Sequence, residues 1–234
     1  MRELIQKFLI RRKTFDLVRN ELNELRQLTR LGTESQSEQF QDIWVLSKQN
    51  PGYKGYFVEF GAANGMTISN TYILENKYGW TGIVAEPCKA FHEELIQNRS
   101  CKIDFRAVWK QSGEKLEFNE MSDGFLSGIA TEKNELRTPS HNKYYVETVT
   151  LTDLLLQHGA PHEIDFLSID TEGGEIDILY DFLRLAIFQV RMICVEHNWK
   201  DLDGSMLSML NSFNYKQEFP HLSRKDYWMV KNNN

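Results

Sequence analysis

Between residues 168 and 177 the chain reads SIDTEGGEID, which sets Asp170, Glu172, Glu175 and Asp177 close together directly after an apolar run. Carboxylates crowded in this way repel one another unless something favours their charge. A helix start accounts for two of them. Glu175 and Asp177 fall in the first turn of the apolar-periodic segment that follows, where negative charge meets unpaired N–H groups and gains about 0.3 to 1 kcal/mol each. Asp170 and Glu172 have no such explanation and belong to the loop at a strand end. Neighbouring carboxylates raise at least one pKa, a condition suited to proton transfer or to cation binding. Both are expected to face a cleft.

A second group of residues points to a ligand. In VEFGAANG, Gly61 and Gly65 let the backbone turn tightly, and Glu59 at the strand end offers an acceptor to a cationic or hydroxyl-bearing group. Glu86, in VAEP, ends the next apolar run about 20 residues beyond Gly65, where an acid can take both hydroxyls of a ribose. A nucleoside-containing ligand is implied. The dinucleotide fingerprint G-x-G-x-x-G is not met, because positions 61, 63 and 66 are Gly, Ala and Met. An NAD(P)-dependent sugar oxidoreductase or epimerase would also call for a Tyr-x-x-x-Lys pair, which neither Tyr53 with Lys54 nor Lys143 with Tyr144 supplies. A single E-x-G-x-x-x-G turn suits S-adenosylmethionine instead, which carries no phosphate.

These residues need a scaffold, and the apolar pattern describes one. Strands are expected at 56–60, 81–87, 102–109, 164–170 and 191–196, with helices after the first, second, fourth and fifth, the one following Glu86 beginning at Pro87. Between 115 and 150 short alternating pieces predict a small β-rich insertion, and FNYKQEF with KDYWMVK predicts a closing hairpin. Strands alternating with helices make an α/β protein with a mainly parallel sheet, whose ligands bind beyond the strands' carboxyl ends. Glu59, Glu86, Asp170 and Glu196 all fall there. Residues 1–31 carry Phe15, Val18, Leu22, Leu25 and Leu28 at helical spacing, a stripe for packing on the main domain or for a homodimer contact. The organisation expected is an appendage and linker over 1–39 and a catalytic domain over 40–234.

FVEFGAANG, VAEP, TVTLTDLL, IDTEGGE and VEHN, in this order, resemble the successive motifs of the FkbM family of S-adenosylmethionine-dependent methyltransferases. The resemblance implies a class I methyltransferase (Rossmann-like) fold with a seven-stranded sheet, and O-methylation of a sugar or other hydroxyl in a natural product or surface glycan. It further implies that Glu59, Gly61, Ala62, Asn64 and Gly65 cradle the methionine portion and that Glu86 with Pro87 takes the ribose. Ala107 and Val108 would border the adenine, and Asp170 would lie against the cofactor. The family's acid is here Glu59, its asparagine position holds Ala63 with Asn64 one place later, and its lysine before I-D is Ser168. Ser69 and Asn70 either lend hydrogen bonds from the first helix or are solvated on its surface.

Methyl transfer to a hydroxyl needs a base, for which Asp170 and His197 are the candidates, with Glu172 beside them. Asp170, Glu196 and His197 can alternatively hold Mg2+ or Mn2+. The insertion mixes aromatic rings and hydroxyls, which either bind sugar or pack the loop. A formal charge of -6 and no basic stripe argue against nucleic acid as a partner and leave a small molecule or glycan as the acceptor. Cys88, Cys101 and Cys194 have neither zinc spacing nor even number, so a reducing, cytoplasmic setting is expected, and no apolar run has the length of a membrane span. A methyltransferase-like scaffold binding partners through residues 1–31 is the non-enzymatic alternative.

Overall fold

The computed structural model describes residues 35–122, 124–130, 142–197, 201 and 203–232. The expected helix over residues 1–31, and with it the homodimer contact, lies outside them.

Seven strands form one sheet: β1 (Tyr56–Phe60), β2 (Thr81–Ala85), β3 (Lys102–Asp104), β8 (Glu163–Ile169), β9 (Gln189–Glu196), β10 (Tyr215–Glu218) and β11 (Asp226–Lys231). Their spatial order is β3, β2, β1, β8, β9, β11, β10. The first five are parallel, while β11 runs antiparallel to β9 and to β10, so the closing hairpin completes the edge. Strands with helices on both sides are apolar almost throughout, which is why these runs read as continuous rather than alternating. Successive side chains still point to opposite faces. Val58, Phe60, Ile83, Ala85, Leu167, Ile169, Ile193 and Val195 pack on one face with α4 (Leu151–Gln157), α5 (Glu175–Leu185) and α6 (Ser205–Ser212). Phe57, Val84, Phe166, Met192, Cys194 and Trp228 pack on the other with α1 (Gln41–Ser47), α2 (Tyr72–Asn76) and α3 (His92–Asn98). The result is a three-layer α/β/α sandwich of the class I methyltransferase kind, and no helix among the described residues is long and apolar enough to cross a membrane.

Three local expectations differ from what is observed. The predicted strand over 102–109 breaks after Asp104, whose carboxylate accepts from the Arg106 backbone N–H (2.9 Å) and from its guanidinium (2.6 and 3.0 Å). The turn so fixed sends β4 (Ala107–Val108) into a second sheet, ordered β4, β7 (Asn142–Val149), β5 (Lys115–Glu120), β6 (Gly128–Ile129). This smaller sheet is the predicted insertion. Second, the helix after the glycine turn starts only at Tyr72, so Ser69 and Asn70 belong to the loop before it. Third, residues 35–39, whose polarity reads as a linker or a loop, are a loop bonded into the domain: Ser37 bridges to Ile68 and Ser35 Oγ donates to Asp42 at 2.6 Å.

Candidate active site

The carboxyl ends of β1, β2 and β8 converge on one cleft, whose space between atoms, open solvent included, is about 680 Å³. The small sheet closes its far side. Ala85, Pro87, Phe91, Ala107, Val108 and Phe118 give it an apolar lining, to which Glu86, Gly61, Asp170, Thr171 and Glu172 add the polar groups. Three non-glycine residues of this rim, Ala63, Ile68 and Glu172, hold left-handed backbone with φ of 47°, 56° and 58°. Such strain persists only where the surroundings over-determine it and collects at ligand sites.

Each glycine and acid of the first motif has a mechanical reason. Gly61 has φ 76°, and a Cβ there would overlap the carbonyl oxygen of Asp170. β1 and β8 can therefore bring their ends together only over a residue without a side chain. Gly61→Ala is expected to cost about 3 kcal/mol or more, from left-handed strain plus overpacking; urea unfolding of the variant measures it. A Cβ at Gly65 (φ 77°) would come within 2.6 Å of the Leu95 side chain and 2.7 Å of that of Arg99.

Glu59 departs from its expected place. It does not line the cleft but turns beneath it, accepting from Ser69 Oγ (2.8 Å), Asn70 N (2.7 Å), Thr71 Oγ1 (2.6 Å) and Arg99 Nη1 (3.3 Å). Its work is to hold the loop that ends at α2. Arg99, which nothing in the local sequence singles out, is the counter-charge that a buried strand-end carboxylate demands; it also reaches Glu75 (2.5 Å), Thr71 (2.8 Å) and the Gly65 carbonyl (3.2 Å), with no side-chain exposure. Removing one member of a buried ion pair strands the other, so Arg99→Met should destabilise the fold by about 3 to 5 kcal/mol, read as a shift in the thermal unfolding midpoint.

Ala62 is buried beneath the turn, and Asn64 points outward, its Oδ1 accepting from Met66 N and Thr67 N while its amide donates to Glu94. Ser69 is spent on Glu59, and Asn70 donates to Ser168 Oγ at 3.0 Å. Of the residues assigned to the cofactor, the cleft thus gathers Gly61, Glu86, Pro87, Ala107, Val108 and Asp170; Glu59, Ala62, Asn64, Gly65, Ser69 and Asn70 build the turn beside it. Ala63, Phe91, Phe118 and Ile129 also line it. Phe118 and Ile129 reach it only because the small sheet folds back over the large one.

Glu86 is 5% exposed, and its oxygens accept from Ala63 N and Cys88 N, both at 2.7 Å. Burial pushes its pKa up to about 7 against the pull of those two bonds. A carboxylate has about four lone-pair positions, so two remain for ligand hydroxyls. The acids first noted divide as expected of helix-start charges. Glu175 accepts from Thr171 N, Thr171 Oγ1 and Gly173 N at 2.9 to 3.0 Å, closing the loop, and Asp177 pairs with Lys110 on the surface. Asp170 and Glu172 lie in the cleft with Glu196 near them: one carboxylate oxygen from each of the three falls within 4.8 Å of the others. Burial first, then the Glu196 and Glu172 charges, push Asp170 well above the usual carboxylate range, and burial with Glu172 raises Glu196. Asp170 and Glu196 are hydrogen-bonded to each other, which two carboxyls can manage only by sharing a proton.

His197 does not join them. Side chains alternate along β9, so Glu196 turns toward Asp170 while the His197 ring stacks on Tyr227 at 4.2 Å between centroids. Its pKa is lowered by burial, and it does not line the cleft. Glu172, and not His197, stands with Asp170 and Glu196 in the acidic group.

Comparison with known proteins identifies the cleft's family. The family model described as methyltransferase FkbM domain matches residues 59–217. No match is found among curated proteins. Among solved structures the chain is similar to a ribosomal protein L11 methylase from Lactobacillus delbrueckii subsp. bulgaricus, at 7% identity over 82% of this chain and 77% of that one, with a TM-score of 0.43. It is also similar to a precorrin-6y C5,15-methyltransferase from Geobacter metallireducens GS-15 (10%, 85% and 90%, 0.41) and to the N-terminal domain of human METTL16 in complex with SAH (11%, 82% and 66%, 0.42). These likenesses are distant, and the assignment rests on the family model, which spans the glycine turn, Glu86, the acidic loop and Glu196. The chain belongs to the FkbM-domain family of S-adenosylmethionine-dependent methyltransferases.

Proposed function

We propose that the protein transfers a methyl group from S-adenosylmethionine to a hydroxyl, most readily one on a saccharide. The observation that carries this reading is that one cleft is lined both by a ribose-suited acid, Glu86, and by Asp170 and Glu172, carboxylates that lie within 4.8 Å of each other and of Glu196. The residues fit the cofactor. Ala85, Ala107, Val108 and Phe118 offer an apolar slot to a flat base, Glu86 has lone pairs for two hydroxyls, and Asp170 and Glu172 put negative charge where an ammonium or sulfonium would gain from it. When bound, the cofactor supplies an electrophilic methyl whose transfer is an in-line displacement: a C–O bond forms as the S–C bond breaks.

The chain's own part is to align the acceptor and receive its proton. Asp170, raised by burial and by Glu196, is a carboxyl whose ionised form is basic enough to accept from an attacking hydroxyl, and Glu196 supplies the hydrogen bond that stabilises whichever of the two is charged. The apolar wall and small sheet keep water from the transferred group. The same three carboxylates suit a divalent ion in place of the proton. Turnover that survives EDTA treatment undiminished supports the proton-acceptor reading, and loss restored by Mg2+ supports the ion. Calorimetric titration tests the whole: S-adenosylmethionine is expected to bind and NAD to give no heat, whereas the reverse result overturns the reading.

A further inference from the structure

One residue lining the cofactor cleft breaks a local rule. Ile68 holds φ 56°, in left-handed backbone that glycine and asparagine enter readily and that a β-branched side chain resists. The chain is anchored on both sides of it, so the conformation is imposed: Asn64 Oδ1 accepts from Met66 N (3.2 Å) and Thr67 N (2.9 Å), Ser69 Oγ and Asn70 N donate to Glu59, and Ser37 pairs with Ile68 in an isolated parallel bridge. The side chain so placed lines the cleft and is 46% exposed. Burial in the core therefore does not offset the strain. The turn by itself would favour glycine or asparagine at this position.

A second such residue comes from the small sheet. Among the described large apolar residues lining the cleft, Ile68 and Phe125 are the exposed ones, Phe125 at 38%. Phe125 follows Gly124, whose φ is 79° and where a Cβ would overlap the Phe91 ring; its own ring stands 5.1 Å from that of Phe91, centroid to centroid. Phe91 is buried and lines the cleft, so Phe125 rests on a fixed wall while part of its ring meets water. Facing the cleft on one side and solvent on the other, Ile68 and Phe125 stand at its mouth, the first on the loop between β1 and α2 and the second on the loop between β5 and β6. Apolar surface held at the entrance to a site is covered when a ligand arrives, and exposing it again opposes the ligand's departure.

Building on the methyltransferase reading, we infer that Ile68 and Phe125 form a two-sided apolar cap that slows the departure of bound S-adenosylmethionine, and that the strained backbone at Ile68 serves to hold its half of that cap over the cleft. The cap and the polar groups divide the work: Glu86 recognises hydroxyls, while the two apolar side chains set residence time. Neither residue exchanges a proton or a bond. Fold and ligand thus ask for different residues at position 68. A substitution that suits the backbone there weakens the site.

Surface plasmon resonance on the immobilised protein measures association and dissociation of S-adenosylmethionine, and urea unfolding of the unliganded protein measures stability. Ile68→Gly and Ile68→Asn are each expected to speed dissociation at least about fivefold, the scale of losing part of one apolar side chain's burial, and to leave association within about twofold. Their urea midpoints should equal or exceed the parent's, because the left-handed strain is relieved. Ile68→Val, which keeps the branch, should dissociate within about twofold of the parent, and Phe125→Ala at least about threefold faster. Dissociation unchanged within about twofold in Ile68→Gly and Ile68→Asn, or in Phe125→Ala, overturns the two-sided cap. Lower urea midpoints in both Ile68→Gly and Ile68→Asn also overturn the inference, because Ile68 would then serve the fold. Failure of the cofactor to bind the unaltered protein is the separate result that would remove the underlying reading.

Discussion

Glu86→Ala is expected to lower affinity for S-adenosylmethionine by about 100-fold or more, since two hydrogen bonds from ligand hydroxyls to a charged acceptor are worth roughly 1.5 to 3 kcal/mol each and about 1.4 kcal/mol is tenfold. Truncation also leaves Ala63 N and Cys88 N without their acceptor, so part of any loss can be structural. Glu86→Gln separates the two, because its carbonyl still takes one of those N–H groups while the charge is gone. pH supplies a further readout. The pKa of Glu86 is pushed up to about 7 by burial, and hydroxyl donors favour the ionised form. Cofactor affinity should therefore rise with pH up to about 7 and then level off, and the rise should vanish in Glu86→Gln. For the unliganded protein the sign is opposite. A carboxyl whose folded pKa lies above its unfolded value makes the native state bind more protons, so this group's contribution to stability is full below about pH 4.5 and is lost as pH climbs through about 7. Calorimetric titration and thermal unfolding over pH 5 to 8 measure both trends.

The parallel sheet was legible because strands covered on both faces are mostly apolar, as YFVEF, TGIVA and EIDFLSI are, with polar residues only at a minority of positions. The positions where those runs stop then named Glu86, Asp170 and Glu196. What could not be read was the direction of a side chain at a strand end. Glu59 and Glu86 end neighbouring strands and look alike in one dimension, yet Glu59 is held under the sheet by Arg99, forty positions away (59 to 99), while Glu86 enters the cleft. His197 and Glu196 are adjacent in the chain and point apart. The break after Asp104 depended on a two-residue ion pair with Arg106 inside an otherwise strand-like run.

Asp170→Asn should reduce turnover by about 100- to 10,000-fold, the usual contribution of a positioned proton acceptor, while changing cofactor affinity by less than about tenfold. The substitution keeps the backbone carbonyl that crowds Gly61 and the shape of the loop, so the cleft itself is expected to survive. It also removes one member of a carboxyl group crowded by Glu196 and Glu172, whose mutual repulsion raises both Asp170 and Glu196 in the native protein. The variant should accordingly be at least as stable as the parent above neutral pH, where unmodified carboxyls are driven to ionise side by side, and this separates a catalytic loss from a folding defect. In the parent, turnover should increase with pH as the pair gives up its shared proton, and in Asp170→Asn the residual rate should lose that dependence. Full activity with an unchanged pH profile in Asp170→Asn would assign the proton to another acceptor, and Glu172, left-handed in backbone and buried on the same rim, is the group that would then have to take it.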